Sequence, residues 1–312
     1  MLKIDNDYIL KFKKDINLSN LTTYKIGGKS LGVFVFNNSF DLIKSLLYFS
    51  DKGIPYKIIG KGSNLLITDE YLIEQVFIIN KERFFLNYGN KVLVNAGLEL
   101  QYFIKKLIDL NFDSYQELAG IPASVGGCVF NNAGIPSIEI AQYIKTIYYF
   151  NRKKRKIENI KITDKNRSNF FSYRDSFFKE EAKNNNFYDI LYIEFELKNK
   201  KNKTELLEIY NKTWEKRILT QPLNSPSCGS VFKNIHLNLK NEKKFIRAWE
   251  IIDRLGFRGY IFNGAKVSEK HPNFILNFNN AKFRDVYNLI QLILSKAKEQ
   301  NYHLDLEVEI IK

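Results

Sequence analysis

Gly60-Lys61-Gly62-Ser63-Asn64-Leu65-Leu66 opens like the phosphate loop of a dinucleotide-binding domain and then departs from it. That fingerprint requires a third glycine where this chain has Leu65. Gly28-Lys29-Ser30 fails in the same way as the end of a P-loop, because Thr23 occupies the upstream glycine position. The Rossmann and P-loop classes are therefore excluded. What remains is three loops of small residues, Ile26-Gly27-Gly28, Gly60 to Asn64, and Gly120 to Gly127. Glycine lets a backbone approach a ligand closely, and successive N–H groups form an anion cradle. Each loop alone is also what a tight turn needs; three of them together suit a pyrophosphate.

Working outward, apolar periodicity alternates between strand and helix. Strands are expected at Leu31–Phe36, Tyr56–Ile59, Leu65–Thr68, Val76–Ile79 and Val92–Ala96, and helices at Asp41–Lys52 and Leu100–Asn111. Glu117 to Gly134, poor in charge and rich in Gly, Ala, Ser and Asn, reads as loop lying against something buried. Ile144–Phe150, Ile157–Ile162 and Tyr188–Leu197 read as further strands, the last with Leu191, Ile193 and Phe195 on one face. The polar break Lys198 to Lys203 marks a domain boundary. Beyond it, helices are expected at Glu205–Ile218, Phe245–Leu255 and Lys282–Gln300, with a closing strand at Leu304–Ile311. The expected fold class is α+β, with two lobes at 1–70 and 71–200 and a third domain at 205–312.

A chain of 312 residues that is 45% apolar can bury a sizeable core. Its net charge of +14 admits three readings: a nucleic-acid surface, a pocket for anionic substrates, or a solvated lysine-rich exterior. The one tight basic run, Arg152 to Lys156, sits between two strand-like pieces and reads as a solvent-facing hairpin turn. Cys128 and Cys228 lie far apart, and His236, His271 and His303 show no zinc spacing, so no metal site is expected. Met1 to Leu10 lacks the apolar core of a signal peptide, and no apolar run approaches the roughly 18 residues of a membrane span. A cytoplasmic location without a membrane span is the expectation.

Seven collinear stretches then resemble one family, the UDP-N-acetylenolpyruvoylglucosamine reductases. They are Asn20-Leu21-Thr22-Thr23-Tyr24-Lys25-Ile26-Gly27-Gly28; Gly60 to Leu66; Ala119 to Gly127 with Asn131-Asn132-Ala133-Gly134; Tyr173-Arg174-Asp175-Ser176; Thr220-Gln221-Pro222 with Pro226 to Asn234; Asn263 to Ser268 with His271-Pro272-Asn273-Phe274; and Leu306-Glu307-Val308. Ala123 stands where glycine is usual, Cys128 and Cys228 where alanine is usual, and Asn263 and Pro272 where glycine and alanine are usual. The length leaves little room for the substrate-covering insertion of the longer members, so the likeness is to the shorter subclass.

The resemblance implies a two-lobed FAD-binding region of the PCMH, or vanillyl-alcohol-oxidase-like, type, followed by an α+β substrate-binding domain. It also implies FAD as cofactor, NADPH as co-substrate and a UDP-sugar as substrate, in peptidoglycan precursor synthesis. A monomer that binds no nucleic acid is expected. The implied FAD contacts are Ile26, Gly27, Gly60, Lys61, Gly62, Ser63, Asn64, Leu65, Gly120, Ile121, Pro122, Ser124, Gly126, Gly127, Asn131, Ala133 and Gly134, with Arg217 a further candidate. Tyr173, Lys233 and Asn234 are implied substrate contacts.

Three residues carry the implied chemistry. Arg174 offers a planar, permanently charged fork suited to the substrate carboxylate; its other reading is an ion pair with Asp175 or a neighbour. Ser230 is the implied proton donor, and a serine hydroxyl needs a nearby cation and fixed geometry for that role; its other reading is a loop serine capping the backbone. Lys233 either assists Ser230 or grips the diphosphate. Glu307 is implied to polarise the developing charge, against the reading in which Asp305, Glu307 and Glu309 form a solvated strand edge. Cys228 reads as a reactive thiol near the site or as a small side chain. Two rival functions stay open: a basic nucleic-acid binder, and a different flavin oxidase with no use for Ser230, Lys233 and Asn234.

Overall fold

The computed structural model describes residues 12–14, 16–70, 72–239 and 242–312. The polar opening Met1 to Leu10 lies outside them. The class is α+β, as expected, and the chain forms two compact units. One comprises Met1–Asp15, Leu31–Lys61 and Glu74–Glu215; the other comprises Ile16–Ser30, Gly62–Ile73 and Lys216–Lys312.

The first unit holds two sheets. In one, the strands run in the order Phe12–Lys14, Ser30–Phe36, Leu72–Asn80, Tyr56–Ile59. Helix α1 (Ser39–Asp51) starts at Asn38, whose side chain accepts the Asp41 N–H at 2.9 Å. Its Leu42, Leu46 and Phe49 pack with Phe34, Phe36, Tyr56 and Val76. The other sheet is antiparallel, in the order Lys156–Lys161, Ile144–Asn151, Tyr188–Glu196, Lys91–Asn95, Phe85–Tyr88. Leu191, Ile193 and Phe195 are buried on one face, as the alternation required. Helix α2 (Leu100–Asp109) lays Phe103, Ile104, Leu107 and Ile108 into the larger core, where the Phe103 and Phe195 rings lie 4.9 Å apart. Burial of each such side chain contributes roughly 1.5–3 kcal/mol.

Two local expectations change. The stretch Glu117 to Gly134, expected as loop, contains helix α3 (Val125–Asn131), started by Ser124, whose hydroxyl accepts the Gly127 N–H at 3.2 Å. Paired glycines hide this helix from propensity, since glycine costs about 1 kcal/mol in a helix; the close approach of Gly126 to Ala96 supplies a tertiary reason for it. The basic hairpin forms where expected, with Asn151 opposite Lys156, but Arg152 is not a solvated charge. It donates to Asp189 at 2.6 Å and stacks 3.7 Å above the Tyr56 ring. Helix α4 (Phe177–Lys183) follows, and α5 (Lys203–Thr220) begins within this unit, where Lys200 bridges Phe112. The charged break near 200 is therefore a surface connection, and the compact division falls after Glu215.

In the second unit, helix α6 (Ala248–Arg254) and helix α7 (Phe283–Glu299) share a core of Ile251, Ile252, Val286, Leu289, Ile290 and Ile293. A small antiparallel sheet joins Ile261–Phe262, Ala265–Val267 and Ile275–Asn277. The helix expected from Phe245 starts later, because Ile235–Leu239 and Glu242–Ile246 pair as a hairpin; the alternation of Ile235, Leu237 and Leu239 is its signal. The closing strand is shorter than expected. Only Glu309–Ile311 is extended, and it pairs in parallel with Leu65–Ile67. That pairing draws the early segment 62–73 into the C-terminal unit, which no boundary near residue 70 anticipates. Among the described residues, no helix is long and apolar enough to cross a membrane. Nor, among them, do three His, Cys, Asp or Glu side chains group as metal ligands would.

Candidate active site

In the first unit, Arg174 occupies a two-residue turn between Phe171–Ser172 and Asp175–Ser176, where Ser172 pairs with Asp175. Its φ of +55° is left-handed, a conformation that costs a residue with a side chain about 1–2 kcal/mol. The surroundings over-determine it. The Arg174 guanidinium donates to Gly134 O at 2.6 Å and lies 5.2 Å from the Tyr173 ring centroid. Asn132, fully buried at the end of α3 with φ +42°, donates from Nδ2 to Ser172 O at 2.8 Å. Ser176 donates to Phe130 O at 2.7 Å, and Lys179 donates to Asn131 Oδ1 at 3.0 Å and Arg174 O at 3.4 Å. Asp175 forms an ion pair with Lys183 at 3.1 Å. Burial pushes its carboxyl up, but hydrogen bonds with Glu180, Lys183 and the Ser176 N–H outweigh that and hold it low. Asn132 and Lys179 were not singled out from the sequence; an Asn closing a helix just before Ala-Gly was the available signal.

In the second unit, Ser230 and Glu307 sit on adjacent strips of backbone. Glu307 N–H donates to Val231 O at 2.8 Å, Phe232 bridges Leu306, and Lys233 N–H donates to Asp305 O at 2.8 Å. Asn64 donates from Nδ2 to Glu307 O at 3.0 Å, and Glu309 N–H returns to Asn64 O at 2.9 Å. Ser230, Lys233, Glu307 and Glu309 are half-buried, and Asp305 is exposed. Asn234 accepts the Ala248 N–H at 2.9 Å and so fixes the start of α6. Arg217 donates to Gln221 Oε1 at 3.2 Å.

Burial pushes the Cys128 thiol up to about 12, against the lowering pull of Arg174. It does the same to Cys228, where Glu307 adds to it. A thiol with that pKa is about 10⁻⁴ ionised at pH 8, far from reactive. Neither cysteine should react with iodoacetamide at pH 8 in the folded protein, and both should react once it is unfolded. Rapid labelling of the native protein, read by mass spectrometry, would overturn this.

The small-residue loops divide into two kinds. At Gly120, Gly126 and Gly127 the N–H groups are engaged within the protein, with Gln101 Oε1 at 3.0 Å, Ala96 O at 2.8 Å and Ser124 Oγ at 3.2 Å. Ile121 N–H donates to Leu118 O, Ala133 N–H to Cys128 O, and Asn131 Nδ2 to Gly127 O; Pro122 has no N–H to offer. Gly60 is close-packed, since a Cβ there would lie 2.3 Å from Ser124 Oγ. Ile26 is buried in the core, next to Gly27. Lys61 keeps a half-exposed ammonium beside the loop, paired with Glu99 at 2.8 Å, and holds that carboxyl below its usual range. Gly62 O accepts the Thr23 N–H at 3.2 Å. Beside Gly229, a Cβ would meet nothing nearer than Ser63 O at 3.9 Å. The Gly60 to Leu65 loop thus keeps a half-exposed lysine at one end, already paired with Glu99.

An arginine held in a strained turn thus lies in one unit, and a serine strip bonded beside a glutamate strip lies in the other. A family model for the C-terminal domain of UDP-N-acetylenolpyruvoylglucosamine reductase matches residues 221–311. The reductase of that name from Thermotoga sp. (strain RQ2) is 34% identical over 298 residues, covering 94% of this chain and 90% of that protein. The one from Prochlorococcus marinus subsp. pastoris is 33% identical over 305 residues, covering 97% of each. The crystal structure of the reductase from Thermus caldophilus superposes with a TM-score of 0.75 at 26% identity, covering 96% of this chain and all of that one. The chain belongs to the UDP-N-acetylenolpyruvoylglucosamine reductase family.

Proposed function

We propose that this chain reduces UDP-N-acetylglucosamine enolpyruvate to UDP-N-acetylmuramate, with bound FAD and with NADPH as electron donor. When bound, FAD supplies the hydride that NADPH provides and the enolpyruvyl β-carbon receives. Arg174 holds the substrate carboxylate, whose negative charge grows as that hydride arrives; a preorganised cation there lowers the barrier most. Ser230 delivers the proton to the α-carbon. Lys233, three residues on, adds positive charge near the diphosphate, and Glu307 supports the charge shift. Tyr173 and Asn234 border the substrate in this reading. FAD would be held by the Gly60 to Leu65 loop, together with Ile26, Gly27, Ser124 and Arg217. In this reading the enzyme acts as a monomer in the cytoplasm.

The observation that carries the proposal is the backbone bonding of the Ser230 strip to the Glu307 strip, within a chain of this family. The test is an absorbance spectrum of the purified protein, followed by anaerobic NADPH and then the enolpyruvyl UDP-sugar. The expected result is a yellow protein that bleaches with NADPH and regains its colour only when the sugar is added. Protein that takes up no flavin, or whose reduced flavin ignores the sugar, would refute the reading.

A further inference from the structure

We infer that Asn273 is a positioning residue for Ser230, its carboxamide standing in for a missing stretch of strand. The inference rests on the reading of Ser230 as proton donor.

The segment that carries Ser230 runs beside the strand Ile275–Asn277. Asn277 N–H donates to Pro226 O at 2.9 Å, and Ser227 bridges Leu276. Cys228 and Ser230 then flank Gly229, whose φ of +78° leaves the extended region. Pairing resumes at Val231, whose N–H donates to Asn273 O at 2.9 Å. The partner strand cannot continue beyond that point. The next residue back is Pro272, which has no N–H, and Phe274 N–H turns to His271 O at 2.9 Å.

Phe232 would thus lose its partner on this side. Asn273 replaces it. Its Oδ1 accepts the Phe232 N–H at 2.9 Å, and its Nδ2 donates to Phe232 O at 2.8 Å. A carboxamide carries the same donor and acceptor as a peptide unit, and this one reproduces the two-bond exchange of an antiparallel pair. Asn273 is 4% exposed, Val231 is fully buried and Phe232 is 1% exposed. Buried amides must be paired, so the site demands both functions of the side chain. On its other side the same segment is bonded to Asp305 and Glu307. Ser230 therefore leaves a backbone clamped from both edges, and Asn273 is the clamp that the chain could not build from backbone alone. Asp offers only the acceptor, and Ala offers neither.

The test compares Asn273→Ala and Asn273→Asp with Ser230→Ala in the flavin-loaded enzyme. Loss of the clamp should slow reoxidation by the enolpyruvyl sugar about 10- to 100-fold in Asn273→Ala and less in Asn273→Asp, through kcat rather than KM. Reduction by NADPH should be unchanged. The double variant Ser230→Ala/Asn273→Ala should be no slower than Ser230→Ala alone, because a positioning residue has nothing left to position. Independently of activity, hydrogen exchange at the Phe232 amide should accelerate in Asn273→Ala, by more than in Asn273→Asp, which keeps the acceptor, and not in Ser230→Ala. Where Asn273→Ala does not fold, Asn273→Asp carries the comparison. Wild-type reoxidation in the Asn273 variants, a full additive loss in the double variant, or unaltered Phe232 exchange would each overturn the inference. A wild-type enzyme that ignores the sugar, with Phe232 exchange altered as expected, would instead sink the functional reading and leave the clamp standing.

Discussion

Ser230→Ala is expected to leave reduction of the flavin by NADPH at the wild-type rate and to slow reoxidation by the enolpyruvyl sugar by roughly 10²–10⁴-fold. In the proposed role the hydroxyl protonates the α-carbon as the hydride leaves the flavin, so only reoxidation needs it and the two half-reactions separate the role cleanly. Its backbone neighbours are bonded through Val231, Phe232 and Lys233 to Asp305, Leu306, Glu307 and Asn273, and none of those bonds uses the Ser230 side chain. The fold should therefore survive, with a melting temperature close to wild type. Stopped-flow traces of the two half-reactions decide it. Full-speed reoxidation would remove Ser230 from the chemistry, and slowed reduction would mean that the substitution had disturbed the flavin instead.

Arg174→Gly should separate stability from activity. The left-handed φ of +55° suits glycine, so the substitution relieves about 1–2 kcal/mol of strain. It also removes the 2.6 Å bond from a charged donor to Gly134 O, worth roughly 1.5–3 kcal/mol, and the contact with the Tyr173 ring. The losses outweigh the relief, so the melting temperature should fall, by a few degrees. Turnover should fall by roughly 10²–10³-fold, the usual cost of losing one preorganised donor to developing charge. Arg174→Lys keeps the charge but not the planar fork, and should recover only part of the loss. Calorimetry and steady-state turnover on the same preparations check both halves. A glycine variant that turns over normally would end the assignment. One that melts far lower would show that the turn depends on the guanidinium.

The candidate residues were legible because their chemistry is written locally. Arg174 and Ser230 stand in short runs whose residue types are unusual together. Leu65 at the third glycine position rejected the commonest nucleotide-binding fold on one residue. The strand Tyr188–Glu196 announced its buried face by strict alternation. Less visible were features whose cause lies far off in the chain. Helix α3 forms around two glycines because Ser124 caps it and Ala96 leaves no room for a side chain at Gly126. Arg152, in the most basic run of the chain, is held by Asp189 and Tyr56. A sequence window sees five cations in a row; it does not see the carboxylate across the sheet.

The same contrast divides the whole protein. Residue order alone determined that this is an α+β chain of the UDP-N-acetylenolpyruvoylglucosamine reductase family, and which short runs to suspect, because periodicity and local motifs need only neighbours along the backbone. Only the tertiary structure decided that segment 62–73 belongs with the C-terminal unit, that the glycines from 120 to 127 bond within the protein, and that Asn132 and Asn273 bond to Ser172 and Phe232, next to the residues under suspicion. Those outcomes depend on hydrogen bonds between residues tens to hundreds of positions apart. A buried N–H or C=O takes whichever partner the completed fold brings to it, and the local sequence does not name that partner.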